Sequence, residues 1–184
     1  IALAGIVMYA LEMFSDVGAG PAIVRDKRGD DPDYLNTAWT IQVVRGFALW
    51  ACACLLAWPV AAWYDQPELI KLIPVVAVTA VLNGFNSMAI HTARRHMDLG
   101  RLSILELAAE AITVGVTLGG AFISRTVWPL AAGWLAGNVV RLTMSHLYLR
   151  GNRHRFYFDR ESAHSLMHFG KWIFLSSILL FIGK

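Results

Sequence analysis

The chain has 184 residues, of which 57% are hydrophobic and only 16% charged. A soluble domain carries about a quarter charged residues, so this composition excludes an ordinary water-soluble enzyme. The formal net charge of +3 would suit nucleic acid, but the basic residues cluster in short connectors between apolar runs. There they would face anionic lipid headgroups, and no nucleic-acid partner is expected.

Six stretches are long enough for a helix to cross roughly 30 Å of hydrocarbon at 1.5 Å per residue. They cover residues 1–24, 36–63, 69–93, 102–123, 127–149 and a run that begins near 169. The first starts at Ile1 and the last stops inside its apolar run, so the sequence reads as an internal piece of a longer protein. Within the first stretch, Asp16-Val-Gly-Ala-Gly-Pro21 places two glycines and a proline where they weaken or kink a helix. Broken helices at membrane depth occur where they line a cavity; a plain packing kink is the other reading. Cys52 and Cys54, in the second stretch, sit on different sides of a helix. They read as small apolar fillers.

The connectors alternate in character. The first holds Arg25, Lys27 and Arg28, the third Arg94, Arg95 and Arg101, and the fifth Arg150, Arg153, Arg155 and Arg160. The second offers only Lys71 and the fourth only Arg125. Cytoplasmic loops are the ones enriched in Lys and Arg, so connectors one, three and five are expected inside. Trp58, Trp63, Tyr64 and Trp128 are then expected as anchors at the outer boundary, and Tyr34, Trp39, Tyr148 and Tyr157 at the inner one. Asp159 is placed to cap a short helix from Arg160 to Phe169, lying along the inner membrane face before Gly170. Gly115-x-x-x-Gly119 and Gly133-x-x-x-Gly137 fall on consecutive stretches, where small residues four apart let backbones approach. Tight packing is the plain reading of both; a sliding surface is the functional one.

Ionisable residues at membrane depth are the candidate site. Counted from the inner end of each stretch, Asp16, Arg45, Glu110 and Arg141 all lie eight or nine residues in, about 12–14 Å at helical rise. Glu12 lies a turn deeper than Asp16, and Glu106 a turn nearer the inner interface than Glu110. A charge at the bilayer centre costs about 2.5–3.5 kcal/mol on insertion scales, so these groups must face protein or water. Two arrangements satisfy that demand. Glu110 and Arg141 form a buried pair, or the layer lines a polar cavity. In the cavity Arg45 and Arg141 meet an anionic substrate, and Asp16, Glu12 or Glu110 serve a coupling ion.

Catalytic signatures are missing. The six histidines form no His-Glu-x-x-His pattern, and no glycine loop followed by Lys-Ser/Thr occurs. No cofactor and no metal are expected.

Ordered motifs carry a family resemblance. They are Leu11-Glu-Met-Phe-Ser-Asp-Val-Gly-Ala-Gly-Pro-Ala-Ile-Val-Arg25, Asp33-Tyr-Leu-Asn-Thr-Ala-Trp39, Trp63-Tyr64 with Pro67-Glu-Leu69, Arg94-Arg95, Leu105-Glu-Leu107, and Phe158-Asp159 leading to His168-Phe-Gly-Lys-Trp172. The series resembles bacterial O-antigen and exopolysaccharide flippases of the multidrug/oligosaccharidyl-lipid/polysaccharide exporter superfamily, in order and over essentially the whole chain. The resemblance implies an all-α transmembrane bundle of two lobes. Residues 1–158 would supply helices of the first lobe, without its first helix, and residues 159–184 an interfacial helix and the start of the second. It further implies passage of an undecaprenyl-pyrophosphate-linked oligosaccharide across the bacterial inner membrane by alternating access, driven by a proton or sodium gradient, alongside a polymerase and export machinery. The family has no strict site signature, so Arg45 and Arg141 rest on depth and charge alone. Alternatives are a drug or small-solute exporter of the same superfamily, or a membrane enzyme of envelope glycan synthesis.

Overall fold

In the computed structural model, which describes residues 19–124, 126–149 and 155–168, every regular element is a helix. The elements are α1 (Ala19–Arg25), α2 (Pro32–Trp63), α3 (Leu69–Phe85), α4 (Ala89–Arg95), α5 (Leu99–Ile123), α6 (Trp128–Leu147) and α7 (160–168). Helix α2 starts earlier than residue 36 because Asp31 caps it, its carboxylate accepting the Asp33 amide at 3.1 Å, with Pro32 in the first turn. Its 32 residues make a rod of about 48 Å, longer than the hydrocarbon layer.

By length and composition α2 and α5 qualify as membrane spans, and α3 with α4 qualifies as a third if counted as one span bent by 59°. The single stretch expected over 69–93 is therefore two helices. Asn86 leaves the helical region (φ −54°, ψ 142°), and Asn83, Gly84 and Ser87 around it are all weak helix formers. Helix α6 has the length of a span but carries Asn138, Arg141 and His146 among its apolar residues. The first expected stretch is described only from Ala19, and the run beginning near 169 lies outside the described residues.

Two antiparallel hairpins, α2–α3 and α5–α6, join through contact between α3 and α6. Alanines Ala53, Ala57 and Ala61 of α2 pack on Leu69, Leu72, Ile73 and Val76 of α3 toward one end. Toward the other, Tyr34, Trp39 and Val43 enclose Ile23 and Met88.

Connectors one, three and five meet at that second end. Arg95 of the third reaches the Ile23 carbonyl of α1 at 2.9 Å and Asp30 of the first at 3.1 Å. From the fifth, the amides of Arg155, Tyr157 and Asp159 donate to Asn36, Thr40 and Thr37 on one face of α2 at 3.1–3.2 Å. The two base-poor connectors share the far end, where Val127 packs against the cluster that contains Ala61 and Leu69. Asp159 caps α7 as expected, its carboxylate accepting the Ser162 amide at 2.8 Å. The Ser162 hydrogen bonds hold its pKa below the usual carboxylate range.

Trp58, Trp63, Tyr64 and Trp128 are exposed at the far end, as boundary anchors should be. Tyr34 and Trp39 correct the expectation at the basic end: both are buried. The returning segment covers them, with the Phe156 ring tilted 53° against that of Trp39 and the centroids 4.9 Å apart. Tyr148 and Tyr157 do stay exposed.

Candidate functional site

The contacts between helices set the level of each buried charge. A side chain at Gly46 would meet Ala80 and Val81 of α3, and one at Gly84 would meet Gln42 and Val43 of α2. Arg45 is therefore level with Val81. On the other side of α3, His146 of α6 meets the Phe85 carbonyl at 2.9 Å, and Ser145 accepts the Ser87 amide at 3.1 Å. One turn outward from those contacts, Val81 faces the level of Leu142. Arg45 and Arg141 thus stand at one height on opposite sides of α3. Both are partly buried.

Glu110 is placed differently. The Gly137 position faces Ala109 and Thr113 of α5, so Glu110 lies nearly a turn outward of Arg141, and it is exposed. Among the described ion pairs none joins it to Arg141. The paired reading of these two residues is not what the packing produces, because the glycine–threonine contact fixes a register that offsets them. Glu106 instead pairs with Arg94 at 3.3 Å, both half-exposed near the basic end. Asp16 and Glu12 lie outside the described residues.

The glycine motifs divide. A Cβ at Gly133 or Gly137 would fall on the hydroxyl of Thr117 or Thr113, so this motif is the seam of the α5–α6 hairpin. Gly115 and Gly119 face open space.

Just inward of the two arginines sits a polar node that the hydropathy pattern did not reveal. Breaking the helix at Asn86 frees carbonyls that side chains of both neighbouring helices then satisfy. Gln42 of α2 donates to the Asn83 carbonyl at 2.7 Å, and Trp39 donates to that of Phe85 at 3.4 Å, alongside His146. Irregular backbone at membrane depth survives only with such replacement partners. The side-chain oxygen of Asn86 is buried with no partner. The run Asn83-Gly-Phe-Asn-Ser87 was the available signal, masked by the apolar residues around it. Among the described residues no three His, Cys, Asp or Glu side chains converge as metal ligands, and Cys52 and Cys54 are free thiols.

Chemically, the site offers two cations at one membrane level, an acid a turn away, and a bend whose backbone is tied by side chains. It can attract an anion. No curated protein and no solved structure matches the chain. A family model described as polysaccharide biosynthesis protein matches residues 1–184. Apolar spanning helices and a match over the full length make one statement: the chain belongs to this family of polysaccharide biosynthesis proteins and works in the membrane.

Proposed function

We propose that the protein moves a lipid-linked oligosaccharide, carried on undecaprenyl pyrophosphate, across the bacterial inner membrane by alternating access, and catalyses no covalent step. On this reading the basic end faces the cytoplasm. Arg45 and Arg141 receive the pyrophosphate or acidic sugars, and the acids Asp16, Glu12 and Glu110 respond to a proton or sodium gradient. The observation that carries the reading is the common level of Arg45 and Arg141, flanking α3 just above its break. Cations at that depth attract an anionic group strongly, and a bent span beside them supplies a joint for opening one side at a time.

The test is export in the bacterium that makes the glycan. Arg45→Ala or Arg141→Ala abolishes surface polysaccharide and lets the lipid-linked unit accumulate on the inner leaflet, while membrane abundance stays at the wild-type level. Wild-type surface glycan in both variants would exclude these arginines and the mechanism with them.

A further inference from the structure

A cleft of about 610 Å³ opens at the basic end, between the end of α1, the start of α2, and α7. That volume is in the range of ligand sites, roughly 300–1,000 Å³. It is remote from the arginine level, since Tyr34 on its wall and Arg45 are eleven residues apart on α2, about 16 Å at helical rise. We propose that this cleft binds a phosphate-bearing anionic lipid headgroup, more tightly when His164 and His168 are protonated. The assignment stands apart from the export reading.

The lining carries the chemistry. Arg25, in the last turn of α1, is exposed and has no ion-pair partner among the described residues. Arg28 lies 5.5 Å over the Tyr34 ring and meets Glu161 at 3.4 Å, where the Glu161 side chain is 84% exposed. That separation exceeds the roughly 2.7–2.9 Å of a strong charge-assisted bond, and exposed pairs contribute little. A phosphate can take Glu161's place. Asp26, the other acid of the cleft, is engaged locally: it accepts the Arg28 amide at 2.9 Å and the Ser165 hydroxyl at 3.4 Å.

Histidine decides the sign. With neutral imidazoles, Arg25 and Arg28 are balanced by Asp26 and Glu161. His164 and His168, one turn apart on α7 with ring centroids at 6.3 Å, both line the cleft. Histidine is the side chain that charges between about pH 5 and 8, so protonation turns a balanced cleft into a cationic one.

The neighbourhood identifies the source of phosphate. Phe156, Tyr157 and Phe158, just before α7, are 68%, 45% and 62% exposed, and Met167 on α7 is 55% exposed. An exposed aromatic run flanked by Arg155 and Arg160 belongs at headgroup level. The cleft beside it opens onto phospholipid, and soluble phosphate shares the same chemistry.

The full chain, reconstituted with mixed phosphatidylglycerol and phosphatidylcholine, tests this by native mass spectrometry of retained lipid at about pH 6 and pH 8. Phosphatidylglycerol is preferred, more so at the lower pH. Arg25→Gln and Arg28→Gln each weaken its retention about fivefold. The double variant His164→Asn/His168→Asn loses the gain at lower pH while keeping the retention seen at the higher. Glu161→Gln, altering an exposed side chain, retains more lipid than wild type, which separates binding from misfolding. Equal retention in wild type, the arginine variants and Glu161→Gln overturns the site. Inorganic phosphate raising the melting temperature of wild type but not of the arginine variants, without any lipid preference, overturns the lipid assignment in favour of a soluble phosphate.

Discussion

The two hairpins solve the same packing problem with different parts. In α2–α3 each helix supplies a glycine, and each glycine lies against the partner's backbone: Gly46 on Ala80–Val81 and Gly84 on Gln42–Val43. In α5–α6 two glycines of α6, Gly133 and Gly137, meet the side chains of Thr117 and Thr113 as well as the carbonyls of Thr113 and Ala109, and Gly120 of α5 lies against Pro129 of α6. Backbone cannot move aside, whereas a side chain can be trimmed. Both hairpins press glycine on backbone, and the second adds a threonine side-chain contact that substitution can adjust.

Five substitutions break or sharpen that contrast. The largest effect is expected from Gly46→Leu, whose Cβ would lie 2.7 Å from the Ala80 carbonyl oxygen. Overpacking typically costs about 1–3 kcal/mol and more where backbone blocks relief; the unfolding midpoint in detergent should fall steeply, and no trimming of α3 side chains should restore it. Next comes Gly137→Ala, expected to cost about 1–3 kcal/mol. Combining it with Thr113→Ala should recover part of the loss, since the Ala109 carbonyl stays 3.0 Å from the added methyl, a coupling that a double-mutant cycle measures. Failure of the rescue would make the two hairpins alike.

A smaller effect concerns the strap over the first hairpin. Asp159 is bound as the carboxylate by Ser162, so its pKa is lower in the folded state than in the unfolded one. Its stabilising effect is present above the ordinary carboxylate range and is lost as pH falls through the depressed folded value. Proteolysis of the 155–168 segment should accelerate in that acid window, and Asp159→Asn should flatten the pH dependence. The smallest effect is Gly115→Ala on α5. With nothing within 4 Å of the added methyl, stability should hold or rise by less than about 1 kcal/mol; a clear loss would reveal a partner seated on that face.

Much of the architecture was legible in the residues. Hydropathy located α2 and α5 as spans, the alternation of basic connectors located the shared end, and Asp159 announced its own helix. What escaped was set by distant or compensated contacts. Tyr34 and Trp39 look like boundary anchors until Phe156, more than a hundred residues later, lies across Trp39. The break after Phe85 hides because Met88, Ala89 and Ile90 keep the run apolar. Two turns escaped for another reason. Asp65 and Met97 adopt left-handed backbone (φ 51° and 56°), closing α2 and α4 without the glycine that usually marks such an end. For the candidate site, depth was readable by counting, but which charges face each other was not. Register depends on where Gly133 and Gly137 seat, and their packing partners are threonines rather than a matching glycine motif.

Arg95 has one further implication. Its guanidinium holds the carbonyls of Ile23, Val24 and Asp26 at the end of α1, while α4 carries it. The short helix beyond the bend is thus yoked to the chain's earliest described helix. Any swing about Asn86–Met88 is geared directly to α1, so the angle of one span becomes the position of another.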